Sequence, residues 1–475
     1  MIFNNPLIQR YRYSLMRPRQ LWIYITVYVG VVALILFINY TAYQYNEFFE
    51  TQTRSFRGVF YQFLIFQMVV LWIFGAVGSG SAIREEITGK SYDFFRMLPL
   101  SAGQKAAGIL VGKNLIVFIL TAFNFIFLII FGRLGELSYS LLGQSVLALL
   151  SIAVLADSVA LLSSIRQIGS KRKTNIVVLI VLLVIFLPMF VPAVVTLVVK
   201  FQTLEYMTGT FYTTELPILI LVSLIALYFS CWSIKGILRK FTHEDEPLFN
   251  RIGAFLFMLG YEFVLFGLFY QRLEDGAWRI NYWFWLFSLL PVLLIPFGSI
   301  RSFDSYLEHS GLIRSKSANN KTLISQLFLY SNLSLDLGLF IVWAICATGT
   351  TLITRQDLIC DLSNVFTLFT FYLFIISLFE LYVVYVPVSN KVGILLGFIA
   401  FVYMFLPLIV SEILNNEIVR LHSPLGFFSD ILIHESGPDT WTKIFICLIN
   451  LALCIIPFIL ISKRYKHILA AREKM

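Results

Sequence analysis

Long apolar stretches recur along the whole chain, and they restrict its fold more than any other feature. They are apolar on all sides, whereas the strands of a membrane β-barrel alternate between apolar and polar residues. About 20 apolar residues are enough for one helix to cross a bilayer. We therefore expect an all-α, polytopic helical membrane protein with twelve transmembrane helices. The stretches lie at 21–40, 59–82, 107–131, 143–164, 175–199, 216–234, 252–270, 281–300, 335–353, 365–385, 392–413 and 441–462.

The amino-acid composition also indicates that lipid is the solvent. Of the 475 residues, 59% are hydrophobic and only 13% are charged. The charged fraction is about half that of an ordinary soluble domain. A water-soluble fold of this size needs many polar residues to cover its surface, and this chain has too few of them.

The Lys and Arg residues are distributed unevenly between alternate loops. Segments on the side of the N-terminus hold 26 of the 36, and the opposite loops hold 8. Because positively charged loops stay in the cytoplasm, we expect both termini to be cytoplasmic and the basic face to meet anionic lipid headgroups. The net charge of +9 follows from this topology. Its spread over short loops does not fit a nucleic-acid surface.

Residue patterns typical of enzymes and metal sites are absent from the sequence. The five cysteines and five histidines lack the short spacings of metal ligands. The sequence contains no nucleophile-elbow, His-Glu-x-x-His or Cys-x-x-Cys motif. We expect no catalytic residue, metal or cofactor in this chain, with a membrane-embedded enzyme or scaffold as a less favoured reading.

The loop at 83–106, after the second apolar stretch, mixes charged and apolar residues in an unusual way. Two adjacent phenylalanines are a poor choice for a loop surrounded only by water. This favours phenylalanines that pack on a partner or back on the spans, over the alternative of a charged loop that is merely solvated.

This loop resembles the corresponding segment in permease subunits of type-two ABC exporters. In that family the segment begins with Arg and Glu residues. It continues with a glycine, an acidic residue and a proline with a small hydroxyl residue, and it ends at a Gly-Lys pair. The Asn5-Pro6 start followed by basic residues is similar to the interfacial helix with which such permeases begin. The resemblance is best over residues 1–240. The matching loop positions are Arg84, Glu85, Glu86, Gly89, Asp93, Pro99, Ser101, Gly112 and Lys113.

The resemblance implies a permease subunit of an ATP-driven exporter in the bacterial cytoplasmic (inner) membrane. Such a chain forms the translocation path and docks a separate ABC-type ATP-binding subunit, which binds the ATP and Mg²⁺. The resemblance implies that the loop at 83–106 makes this contact and that its carboxylates are available to the partner. The candidate docking residues are Arg84, Glu85, Glu86, Gly89, Asp93, Phe94, Phe95 and Pro99. A second permease chain, identical or different, is a further expected partner. We expect the half 1–240 to carry the interfacial helix and the docking loop, and the half 241–475 to be a diverged six-span copy.

Asp157 and Glu262 are carboxylates that lie well inside predicted spans, whereas Glu380 lies near the inner end of its span and can reach the headgroups. A charge in hydrocarbon is costly, so such residues normally face protein or water. Asp157 and Glu262 are both candidates for lining a transport path. They also support an alternative function, an ion- or proton-coupled secondary transporter that uses intramembrane carboxylates.

Overall fold

The computed structural model describes residues 5–45, 52–165, 208–212, 214–242, 251–272, 278–280, 338–346, 362–385 and 440–473, with a few shorter pieces between 249 and 421. Within this described part, seven helices are long and apolar enough to cross a membrane. Each coincides with one of the predicted spans, so the chain is a helical multi-pass membrane protein. The seven are Pro18–Thr41, Phe56–Thr88, Leu115–Leu134, Tyr139–Ile165, Ile218–Thr242, Ile252–Phe269 and Trp441–Ile461.

The remaining predicted spans are described only in part. Helix Leu362–Tyr385 covers the span predicted at 365–385, and a helical piece at 338–346 lies within the one predicted at 335–353. The span predicted at 175–199 lies outside the described residues, and those at 281–300 and 392–413 lie almost entirely outside them. The total of twelve and the side of the termini stay predictions.

The chain divides into two compact units, Met1–Gly209 with Glu215–Glu246, and Thr210–Thr214 with Pro247–Met475. In the first unit, α3 continues into α4 through a π-helical segment, Val69–Phe74. The helices of the first unit are α1 Pro6–Leu15, α2 Pro18–Tyr45, α3 Gln52–Met68, α4 Gly75–Thr88, α5 Tyr92–Met97, α6 Ala102–Lys113, α7 Leu115–Leu134, α8 Tyr139–Ile165 and α9 Ile218–Thr242. Those of the second unit are α10 Arg251–Phe269, α11 Leu362–Tyr385 and α12 Thr440–Glu473.

Two short hairpins depart from the all-α expectation. Strand β1 (Thr208–Phe211) pairs with β2 (Thr214–Pro217) ahead of α9. After α10, β3 (Tyr270–Arg272) pairs antiparallel with β4 (Trp278–Ile280). Both hairpins lie next to ends of apolar helices, where the chain leaves the predicted hydrocarbon region.

The third predicted span, 107–131, begins later than the sequence indicates. Helix α6 ends at Lys113 and α7 begins at Leu115, with Asn114 between them at φ −99° and ψ 12°. The apolar side chains of Ala106 and Ile109 are buried in a cluster that also contains residues of α1. The apolar residues of 102–113 thus pack on α1, and the helix that is long and apolar enough to cross a membrane runs from Leu115 to Leu134.

The described residues of the first unit form two apolar cores. The larger one joins α2, α3, α7 and α8, and in it Phe63 stacks on Phe127 and Phe131 at centroid distances of 5.2 and 5.6 Å. The smaller one gathers six helices at one end of the unit and positions the candidate site. Its members are Leu7, Tyr11, Ala82, Ile83, Phe95, Ala106, Ile109, Leu161, Ile165 and Ile237.

The second unit is held by aromatic packing and by buried polar pairs. Met258 of α10 packs with Phe340 and Trp343. Between α11 and α12, Asn450 Nδ2 donates to Thr370 Oγ1 at 3.1 Å, and its oxygen accepts from Tyr403 at 2.7 Å. Side-chain hydrogen bonds of this kind join helices in lipid, where no hydrophobic force drives them together.

Candidate functional site

The segment between the second and third membrane helices is folded, and it begins with a tight turn after α4. Gly89 caps α4, and Lys90 follows with a φ of 55°. The backbone N–H of Ser91 donates to the carbonyl of Glu86 at 2.9 Å. The left-handed conformation of Lys90 is unfavourable for a residue with a side chain, and it brings α5 back toward α4.

Glu86 lies at the centre of this turn and points into the protein. It is 4% exposed. Arg10 Nη2 of α1 lies 3.0 Å from Glu86 Oε1, and Ser91 Oγ donates to Oε2 at 2.5 Å. The hydroxyl of Tyr11 donates to Oε1 over a longer distance, 3.5 Å. One carboxylate therefore joins α1, α4 and the turn before α5.

Tyr11 and Lys113 extend this network. Burial raises the pKa of Tyr11, and the negative charge of Glu86 raises it further, so Tyr11 stays a phenol and a hydrogen-bond donor. The ammonium of Lys113 pairs with Glu85 and also lies 5.1 Å from the centre of the Tyr11 ring. The two glutamates at the end of α4 are thus held by cations from two different helices.

Helix α1 packs against α6 at very short range. A Cβ added at Gly108 would lie 2.8 Å from Leu7 Cβ, and one added at Gly112 would lie 2.6 Å from Tyr11 Cδ2. Two glycines four residues apart present a flat helix face that another helix can approach closely. Asn5 caps α1 and donates from Nδ2 to the carbonyl of Gln104 at 2.6 Å.

Phe95 anchors α5 to the rest of the unit. It is 1% exposed and lies 6.0 Å, centroid to centroid, from Phe241 of α9. Lys105 Nζ lies 5.7 Å from the centre of the Phe95 ring and donates to the carbonyl of Arg96 at 2.9 Å. Burial lowers the pKa of Lys105. The short helix α5 is therefore fixed on its inner side by one ring and one ammonium group.

The other side of this segment is exposed and carries both charged and apolar groups. We call it the exposed loop face. Met97 is 75% exposed and Ile87 is 40% exposed, although a soluble surface normally hides such side chains when they occur together. Its members are Arg84, Ile87, Lys90, Asp93, Arg96, Met97 and Pro99.

The structure divides the predicted docking residues into two groups. Arg84, Gly89, Asp93 and Pro99 are exposed, as is Glu85, which is paired with Lys113. The sequence predicts that Glu86 is available for a partner, but the carboxylate is buried because Arg10 and Ser91 hold it inside. The phenylalanines are expected to pack either on a partner or back on the spans, and Phe95 packs back on the spans. The side chain of Phe94 lies outside the described part.

The two carboxylates predicted to line a path belong to different units. Asp157 of α8 is 7% exposed and accepts a hydrogen bond from Asn114 Nδ2 at 3.0 Å. Glu262 of α10 is 5% exposed, and its Oε1 has no hydrogen-bond partner among the residues that the structure describes. Neither carboxylate forms an ion pair within the described residues.

Several residues of the site are not singled out by the sequence reasoning. Arg10, Tyr11 and Ser91 bind Glu86, and Lys105 holds α5. One signal for them is available, because Gly108 and Gly112 form the small-x-x-x-small pattern of a close helix contact. That pattern predicts that a helix packs on α6 but does not identify the helix. The sequence Glu85-Glu86 also does not show which of the two carboxylates is buried.

No protein-family model, curated protein sequence or solved structure matches this chain. The described residues contain no group of three or more His, Cys, Asp or Glu that could hold a metal ion. The fold defines the class as a helical multi-pass membrane protein. The function has to be inferred from the arrangement of the chain's own side chains.

Proposed function

We propose that the chain is the permease subunit of an ATP-driven ABC exporter and docks a separate ATP-binding subunit on the exposed loop face. The observation that carries this proposal is the combination of a rigidly held α5 with an outer side that stays exposed. Phe95 and Glu86 fix the inner side of the segment, and Met97 and Asp93 remain outside. A surface that transmits movement has to be rigid on one side and accessible on the other.

The chemistry of the exposed loop face suits a protein partner. Met97 and Ile87 provide exposed apolar contact area, and Arg84, Lys90 and Asp93 are exposed charges of both signs on the same segment. Protein interfaces combine apolar and polar groups in this way. Methionine also adapts to a moving partner surface because its side chain is unbranched and flexible.

In this proposal the partner subunit binds ATP and Mg²⁺ and performs hydrolysis, while this chain forms the path through the bacterial inner membrane. The exposed loop face lies on the cytoplasmic side, as the distribution of Lys and Arg predicts. ATP binding biases the permease between two states through the docked segment. A second permease chain, identical or different, completes the path.

The test is affinity purification of the tagged chain from native membranes in mild detergent, followed by mass spectrometry and an ATPase assay of the eluate. We expect an ATP-binding subunit and ATPase activity with the wild-type chain, and loss of both with Met97→Asp. The matched control is Tyr139→Asp, because Tyr139 is 74% exposed but lies at the opposite, outer end of the predicted topology. A wild-type chain that purifies alone without ATPase activity contradicts the proposal.

A second candidate function is an ion- or proton-coupled secondary transporter, and the observation that favours it is Glu262. This carboxylate is buried in α10 with one oxygen unpartnered, as expected of a group that takes up a cation during transport. Proton flux in proteoliposomes separates the two functions. A carrier loses its flux in Glu262→Gln, whereas an exporter keeps its ATPase stimulation in the same variant.

A further inference from the structure

A buried polar cluster lies in the first unit where α4, the start of α7 and α8 meet. It consists of Ser79, Asn114 and Asp157, which are 0%, 0% and 7% exposed. Asn114 Nδ2 donates to Ser79 Oγ at 2.9 Å and to Asp157 Oδ2 at 3.0 Å. One amide thus links three helical elements inside an apolar bundle.

Asp157 lacks the partners that an ionised carboxylate needs. Its Oδ1 is buried and has no hydrogen-bond partner among the described residues, and its Oδ2 accepts from the neutral amide of Asn114. An ionised carboxylate in such surroundings pays a large desolvation cost. The site therefore needs either a proton on the carboxyl group or a bound cation.

Within the described residues, the neighbouring elements supply no compensating charge. The residues of α4 at the cluster are uncharged: Gly75 lies next to Asp157, Gly78 lies next to Asn114, and Ser79 accepts a hydrogen bond from Asn114. Lys113 precedes Asn114 but is paired with Glu85. None of the charged residues on the helices packed against α8 forms an ion pair with Asp157 in the described part of the chain. These residues are Arg84, Glu85 and Glu86 on α4, Lys105 and Lys113 on α6, Arg133 on α7, and Lys235, Arg239 and Lys240 on α9.

The packing favours a proton over a metal cation. A Cβ added at Gly75 would lie 2.8 Å from Asp157 Oδ1, and one added at Gly78 would lie 2.5 Å from Asn114 Oδ1. The backbone of α4 therefore occupies the space beside both unpartnered oxygens. A metal cation would need several oxygen ligands around it, and this space does not hold such a shell.

We propose that Asp157 is an exchangeable proton site whose occupancy controls how α4, α7 and α8 are held together. The proton adds to Oδ1 and makes the carboxyl neutral while Oδ2 keeps accepting from Asn114. Loss of the proton leaves an uncompensated charge, which is relieved when the helices separate and water enters. A proton-dependent switch of this kind needs an element with two arrangements.

The helices next to Asp157 have two irregular points at which their arrangement can change. The π-helical segment Val69–Phe74 ends directly before Gly75, and Asn114 lies at the break between α6 and α7. π-helical turns occur frequently at functional sites because they interrupt the regular backbone bonding. Both α4 and α6 lead into the exposed loop face, so the proton site is connected to it through two helices. A link from the proton site through these helices to ATP hydrolysis in a docked subunit rests on the proposed function, whereas the proton site itself does not.

The first test is infrared difference spectroscopy of the purified full chain between acidic and alkaline buffer, in H₂O and in D₂O. We expect a carbonyl band of a protonated carboxyl that shifts in D₂O, disappears in Asp157→Asn and persists in Glu262→Gln. Isotope-labelled aspartate in the wild-type chain shifts the same band, which identifies it as an aspartate band and not a glutamate band even if the Asn variant does not fold. The proposal is overturned if the aspartate band is that of an ionised carboxylate at every pH, or if the band responds to Na⁺ or K⁺ at fixed pH.

The second test addresses the connection to the loop. If the ATP-binding subunit co-purifies, we expect the ATPase rate of the complex to depend on pH in the wild-type chain. This pH-dependent component should be lost in Asp157→Asn and retained in Glu136→Gln, since Glu136 is an exposed carboxylate on the turn after α7. A pH profile unchanged by Asp157→Asn overturns the connection. If no ATP-binding subunit is found, the proposed function fails, while the infrared result still decides whether Asp157 exchanges a proton.

Discussion

Glu85 and Glu86 are neighbours in the sequence and have opposite environments in the structure. The Glu85 side chain is 58% exposed, and that of Glu86 is 5% exposed. The buried carboxylate has three partners from α1 and the turn after α4, so it stabilises the segment. Its role is therefore structural, and the proposed contacts with a partner fall to the exposed residues around it.

We expect Glu86→Ala to destabilise the chain by about 1 to 3 kcal/mol, because Arg10, Tyr11 and Ser91 lose a charged acceptor in a largely buried site. Asp93→Ala is the control, since Asp93 is an exposed acidic residue on the same segment and should cost less than about 0.5 kcal/mol. Thermal unfolding in detergent measures both. Equal melting temperatures for the two variants contradict the role assigned to Glu86.

The close contact between α1 and α6 leads to a second prediction about single residues. Gly108→Ala and Gly112→Ala place a methyl group against Leu7 and Tyr11, and overpacking of this kind costs about 1 to 3 kcal/mol. Gly30→Ala and Gly143→Ala are matched controls, because nothing lies within 4 Å of a Cβ at either position. Proteolysis of the N-terminal segment should accelerate in the first pair of variants and not in the second.

Helix α6 is the element that connects the exposed loop face to the membrane, and its start is defined by a capping box. Ser101 Oγ accepts from the backbone N–H of Gln104 at 3.2 Å, and Gln104 Oε1 accepts from the N–H of Ser101 at 2.9 Å. These bonds satisfy two donors that a helix leaves open at its start. They fix the point at which the chain leaves α5 and enters α6.

Ser101→Ala should cost about 1 kcal/mol through loss of this cap. The effect should be local, so amide hydrogen exchange should accelerate at residues 102–105 and stay unchanged in α8. Ser163→Ala is a suitable control, because Ser163 is an exposed helical serine whose hydroxyl only donates to the carbonyl of Ala160. Unchanged exchange at the start of α6 contradicts the capping assignment.

At the scale of the whole molecule, the predicted topology places the turns at Lys90 and Glu136 on opposite sides of the membrane. The two positions are well matched, since both are exposed and have φ values of 55° and 57°. In a chain without its native cysteines, we expect a membrane-impermeant thiol reagent added outside cells to label Glu136→Cys and not Lys90→Cys. Labelling of both, or of Lys90→Cys alone, contradicts the topology.

The sequence predicts the membrane class and the position of the seven apolar helices, because apolar length and charge asymmetry are encoded locally. It misplaces the start of the third span, since an apolar face that packs on α1 has the same composition as one that meets lipid. It also cannot tell that Glu86 is buried and Glu85 exposed. That difference depends on Arg10 and Lys113, which lie far from both glutamates in the sequence.

The central claim is that the exposed loop face docks an ATP-binding subunit, and site-specific photo-crosslinking in native membranes tests it most directly. A photoreactive amino acid at Met97 is predicted to crosslink to an ATP-binding protein, whereas the same group at the equally exposed Tyr139 is predicted not to. If the group at Met97 crosslinks only to lipid or to this chain, the claim is contradicted and the exposed loop face has another role.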